Sequence, residues 1–162
     1  MALIDDINKY GGLTKIKEFY EKLSFAEAIE KASSGINPNG KMDRHMCHIG
    51  YKVCNQGYEL LKNDENKIQN CLCFEKLIEI TNNLTSIQGL GDLWSYDTAL
   101  RIGFNLGVYP NKVYVHAGVR KGVKKIAPNI KIKRKMDLSQ FPAEMQTLTH
   151  YEAENFLCIY GK

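Results

Sequence analysis

The segment LTSIQGLGDLWSYDTALRIGFNLG, Leu84 to Gly107, constrains the fold more than any other part of the chain. Two glycines, Gly89 and Gly91, flank one apolar residue, Leu90, between two stretches with helical apolar spacing. Glycine takes positive φ without a steric penalty, so Ile87–Gly91 can form a very tight link between two helices. Leu90 then tucks between those helices as a plug. Beyond the corner, Gly91, Ser95, Ala99, Gly103 and Gly107 fall at successive i,i+4 positions. That spacing lines up small residues along one helical face, where a second helix can approach closely. The amides around Gly89, Gly91 and Asp92 stand at a helix N-terminus, where N–H groups lack intrahelical acceptors. Together with the positive end of the helix dipole they make a candidate phosphate site that needs no side chain.

The remaining chain is expected to be mostly helical. Leu13, Ile16, Phe19, Tyr20 and Leu23 recur at helical spacing behind a possible Thr14 cap, and Ser24 with Glu27 forms a capping-box pattern ahead of FAEAIEKA. Ser33-Ser34-Gly35 stops that helix, and INPNGK is a loop. One apolar stripe spans about Met42 to Leu61, with Met42, Met46, Ile49, Val53 and Leu60; Asn63–Asn66 is a polar break. Further helices are expected over Ile68 to about Leu84, Trp94 to Leu106, His116 to Ile126 and Thr149 to Tyr160. Ala127-Pro128 ends the third of these, and Ile130–Lys133 alternates like an edge strand or extended arm. The expected architecture is all-α: a single compact multi-helix domain over residues 1–162, with at most a short strand or arm.

Charge is unevenly placed. Thr98 to Met136 contains no Asp or Glu but holds ten basic residues: Arg101, Lys112, Arg120, Lys121, Lys124, Lys125, Lys131, Lys133, Arg134 and Lys135. The other 123 residues carry 12 basic and 18 acidic groups. A cationic lobe of this kind attracts and steers polyanions. At 162 residues, 44% hydrophobic and 25% charged, the chain suits one core rather than a low-complexity or collagen-like structure. No run of 18 apolar residues suggests a membrane span, and no export leader is evident at the N-terminus. Five cysteines without a disulfide rhythm then fit reduced thiols and a cytoplasmic location.

The pattern Ile87, Gly89-Leu90-Gly91 and a small residue one turn later, Ser95, resembles the helix-hairpin-helix motif of DNA-binding proteins. More loosely, it is similar to the helix-hairpin-helix DNA glycosylase superfamily. The likeness covers about 74–107, a quarter of the chain, and the motif more often has Ala at the Ser95 position. It implies that Gly89, Leu90 and Gly91 grip the DNA backbone; the free amide of Asp92 is expected to join them, and Lys112, Arg120, Lys121, Lys124 and Lys125 of the basic stretch to hold neighbouring phosphates. Glycosylases of that superfamily place a catalytic Asp in a Val-Asp-Thr-His-like segment after the hairpin. Here Val113-Tyr114-Val115-His116 carries Tyr114 at that point, and no Lys lies between Leu84 and Gly107 to attack a sugar. A relocated acid is then required, and Asp97 and His116 are the catalytic candidates.

Other constellations point less far. Arg44-His45-Met46-Cys47-His48 and Cys54 gather metal-capable groups, but on a helix His45/His48 and Cys47/Cys54 share diverging faces, so no metal site is assigned. The Arg44–His48 segment is a candidate cleft wall beside the hairpin. Trp94 and Tyr96 are candidates either for the core or for stacking on an exposed base. No Walker loop, Gly-x-Ser-x-Gly, His-Glu-x-x-His or dinucleotide fingerprint is present, and no cofactor is expected. Three readings follow: a DNA-binding protein contacting the phosphates of duplex DNA, with a place in DNA repair or processing; a divergent glycosylase or lyase; and a helical protein-interaction domain whose small-residue strip docks a partner helix.

Overall fold

A computed structural model describes residues 2–10 and 12–162. In chain order its helices are α1 (Ala2–Tyr10), α2 (Thr14–Glu21), α3 (Phe25–Ser33), α4 (Arg44–Ile49), α5 (Tyr51–Asn63), α6 (Glu65–Gln69), α7 (Phe74–Asn82) and α8 (Asp92–Leu106). Strand β1 (Val113–Tyr114), α9 (Ala117–Ile126), strand β2 (Lys135–Met136) and α10 (His150–Tyr160) follow, with two 3-10 turns between β2 and α10. The fold is dominated by α-helix, as the apolar spacing predicts. Its contacts group into two compact units: Thr14–Tyr109, and Pro110–Lys162 joined by the N-terminal segment through Leu13.

In the Thr14–Tyr109 unit, Ser24 and Glu27 form the expected capping box at α3. The stripe from Met42 to Leu61 is two helices instead of one, because Gly50 sits at φ +90 and ends α4 before α5 begins. Positive φ is incompatible with a continuing right-handed helix. The helix expected over Ile68–Leu84 is likewise divided. The Asn70 side chain donates to the Asn66 carbonyl at 2.7 Å, and Cys73 is extended ahead of α7. The link between the hairpin helices is longer than predicted, since α7 ends at Asn82.

The small-residue strip is used inside this unit. Ser95 and Ala99 are fully buried, and a Cβ at Gly103 would stand 3.6 Å from the Phe74 ring and 3.7 Å from Leu77 on α7. Ser95 Oγ donates to Asn82 Oδ1 at 2.7 Å and lies 2.8 Å from Thr81 Oγ1, tying α8 to the end of α7. Leu90 is buried, and a Cβ on Gly57 would approach its methyl to 3.2 Å and the Trp94 ring to 2.6 Å. The plug therefore also seats on α5, at a point where only glycine fits. Trp94 donates from Nε1 to the Ser33 carbonyl at 2.9 Å.

The other unit pairs β1 with β2 in an antiparallel register, Val113 opposite Met136 and Tyr114 opposite Lys135. Ile130–Lys133 is not a strand; Ile130 and Ile132 instead pack against the core. That core collects Val113, Val119, Val123, Met136, Met145, Phe156 and Leu157, together with Ile7 of α1. Helices α9 and α10 meet at glycines: a Cβ at Gly122 would lie 2.1 Å from the Leu157 carbonyl oxygen. Val119 and Val123 face inward, leaving Arg120, Lys121, Lys124 and Lys125 exposed on one side of α9.

Candidate functional site

The glycine corner in the Thr14–Tyr109 unit is exposed and uncapped at the start of α8. Gly89 has φ +100, with its Cβ direction toward Val53 at 3.0 Å, so this position strongly favours glycine. Gly91 is the N-cap of α8, no side chain caps that turn, and nothing lies within 4 Å of where its Cβ would be. Gly89, Gly91 and Asp92 are exposed while Leu90 is buried beneath them. The backbone hydrogen bonds around the corner leave the N–H groups of Gly89, Gly91 and Asp92 without acceptors. Leu90 acts as the anchor that holds this loop and offers no ligand contact through its side chain.

The cations are distributed differently from the sequence expectation. Arg101 is not on a basic surface: its side chain is only 6% exposed, donates to Asp43 Oδ2 at 3.0 Å and lies 3.6 Å from Asp97. Lys112 pairs with Asp137, and Lys125 donates to the Tyr160 carbonyl at 2.9 Å. Arg120, Lys121 and Lys124, with Lys131, Lys133, Arg134 and Lys135, are exposed in the Pro110–Lys162 unit. That unit, with its N-terminal segment, holds 11 Lys and Arg against 6 Asp and Glu; the Thr14–Tyr109 unit holds 11 against 12. The proposed amide grip and the proposed lysine grip thus belong to separate units.

Asp97 enters a half-buried polar cluster built around Arg101. Its Oδ2 lies 2.9 Å from His45 Nε2, and His45 Nδ1 lies 3.3 Å from Asp43 Oδ1, so the imidazole sits between two carboxylates. Burial lowers the His45 pKa, but the hydrogen bond with Asp43 and the charges of both carboxylates outweigh it and carry the ring up to about 9. The hydrogen bond from His45 holds Asp43 well below the usual carboxylate range. Burial raises the nearby Tyr20 phenol, whose hydroxyl donates to the Ile36 carbonyl at 2.8 Å. Opposite charges balance across Asp43, His45, Asp97 and Arg101, which makes the cluster a clamp between the α4 region and α8. For Asp97 to act on a sugar, its carboxylate would first have to leave His45 and Arg101.

His116, the second catalytic candidate, is the N-cap of α9 and is likewise engaged. Its Nε2 lies 2.5 Å from Glu154 Oε1 on α10. Burial pulls its pKa down, but hydrogen bonds with Cys158 and Glu154 prevail and take the ring up to about 10. Glu154 and Cys158 were absent from the sequence candidates. The available signal was their i,i+4 spacing, with an acid set into the apolar face of the last helix.

Several other expectations are resolved. Trp94 and Tyr96 are buried, so neither ring is available to stack on a base. Cys54 is buried with its Sγ toward the Met46 carbonyl, Cys47 and His48 are exposed, and His45 is held by its carboxylates, so these four do not converge. All five cysteines are free thiols. No helix among the described residues is long and apolar enough to cross a membrane. No family model, curated protein or solved structure matches this chain.

Proposed function

We propose that this chain is a nucleic-acid-binding protein that holds duplex DNA through its phosphates, in the manner of a helix-hairpin-helix domain and in the setting of DNA repair or processing. The observation that carries the reading is the exposed side of α9: Arg120, Lys121, Lys124 and Lys125 within a 39-residue stretch free of acid. The uncapped, exposed Gly89–Asp92 corner supports it as a second phosphate contact made by backbone N–H groups. A binding role ranks ahead of a glycosylase or lyase because Asp97 and His116 are both committed to internal partners. It ranks ahead of helix docking because α7 already packs on the middle of the small-residue strip, at Ser95 and Gly103.

Each phosphate neutralised contributes about −0.9 to the slope of log K against log salt. With four α9 cations engaged, the expected slope is at least about −3.6. Reversing Lys121 and Lys124 to Glu is expected to remove about two of those contacts and weaken binding to unrelated duplexes equally. Fluorescence anisotropy across a salt series measures both effects. Affinity indifferent to salt, or unchanged by the double reversal, overturns the reading.

A further inference from the structure

We infer that His116, Glu154 and Cys158 form a binding site for a single divalent cation of the zinc class, a function separate from the phosphate contacts. One imidazole nitrogen, one carboxylate oxygen and one thiol sulfur all lie within 4.8 Å of one another, the one such group among the described residues. Tetrahedral coordination at ordinary zinc bond lengths separates donor atoms by about 3.3–3.6 Å, so side-chain rotation alone brings this set into place. The ion takes the position now spanned by the 2.5 Å contact between His116 and Glu154.

The backbone is built to bring these three groups together. Glu154 and Cys158 are one turn apart on α10, and His116 ends the extended chain leading into α9. The helices meet through hydrogen atoms at Gly118, Gly122 and Gly161. A Cβ on Gly118 would stand 3.0 Å from Cys158 Sγ and 3.4 Å from the His116 ring, so even a methyl there would press on two of the donors. The His116 and Glu154 side chains are only 7% and 5% exposed, so water competes poorly for the ion, while Cys158 is part-exposed and gives it a way in. The donor chemistry selects the metal: a thiolate with an imidazole suits zinc or cobalt, whereas calcium and magnesium require oxygen ligands. Three protein ligands leave a fourth position for water, as in zinc sites that are not closed.

The Asp43–His45–Asp97 cluster makes a useful contrast. There the two carboxylates bind opposite ring nitrogens and a guanidinium supplies the positive charge, so no common centre exists for an ion.

The test treats the full chain with chelator and titrates it with Co²⁺ or Zn²⁺. One equivalent of Co²⁺ is expected to give a thiolate-to-cobalt charge-transfer band that Cys158→Ser abolishes. Glu154→Gln should lower the affinity by at least roughly 10–100-fold, the loss typical of removing even an outer-shell partner. A second reading uses only the native chain: saturating Zn²⁺ should slow alkylation of Cys158, mapped by mass spectrometry, by roughly tenfold or more. Cys47 and Cys73 are exposed and serve as internal controls whose alkylation should not change. Absence of the band, its survival in Cys158→Ser, or unprotected Cys158 in excess Zn²⁺ overturns the inference. The alkylation result decides the matter if the serine variant does not fold.

Discussion

At the scale of single residues, the molecule separates glycines required by backbone conformation from those required by space. Gly91 is neither crowded nor at positive φ, so Gly91→Asp can occupy the N-cap of α8. Aspartate caps helices well, so stability is expected to hold or rise slightly, while the added carboxylate competes with phosphate for the same amides. DNA affinity should fall by roughly tenfold, about 1.4 kcal/mol, while Tm does not fall. Equal binding by both proteins would remove the corner from the interface. Gly89→Ala, at φ +100 and facing Val53, is expected to cost about 1–2 kcal/mol in a denaturant melt. His45 gives a pH signature. Its folded pKa near 9 exceeds the free value of about 6.5, so its stabilisation is complete below pH 6.5 and disappears as pH rises through 9. The Tm gap between wild type and His45→Gln should be widest near pH 6 and close by pH 10, reflecting a stability difference of at most a few kcal/mol. A gap constant with pH would show that the ring contributes only packing. Sequence patterns alone could mark Asp97 and His116, but not their distant partners: His45 lies 52 residues before Asp97, and Glu154 lies 38 after His116. Such proximity is created by the fold, and no local periodicity encodes it.

At the scale of elements, the parts governed by local chemistry were legible. The capping box fixed the start of α3, and unbroken apolar spacing marked α8, α9 and α10 closely. Elements interrupted by one backbone angle were not: an apolar stripe continues across Gly50 although the helix does not, because side-chain periodicity says nothing about φ. Helix α1 went unassigned: the core that Ile7 joins is built mainly from residues of Pro110–Lys162, far along the chain. The most consequential contact between elements is α9 on α10. Gly122→Ala would set a methyl 2.1 Å from the Leu157 carbonyl, a backbone atom that cannot rotate away. A loss of at least about 2–3 kcal/mol is expected by thermal or urea unfolding. Gly12→Ala, with nothing within 4 Å, should stay within about 0.5 kcal/mol. Equal effects from the two substitutions would mean that α9 and α10 can part without cost.

At the scale of the whole molecule, the basic character belongs almost entirely to one unit, and it is there that changes of ionic strength should act. The connectivity of that unit also bears on how the chain is made. Thr14–Tyr109 is one uninterrupted stretch, whereas the other unit is assembled from two segments on either side of it, 1–13 and 110–162. As the chain leaves the ribosome, Thr14–Tyr109 can collapse on its own, but Ile7 must wait for Phe156 and Leu157 before its apolar pocket exists. At about 5–20 residues per second that delay is roughly 8–30 s, long enough for chaperones and proteases to meet an unpartnered N-terminal helix. Nascent chains stalled only after Tyr109 has cleared the ribosome, but before α10 has, should therefore be cut by protease within Ala2–Tyr10 while Thr14–Tyr109 resists, and released chains should lose that early cleavage.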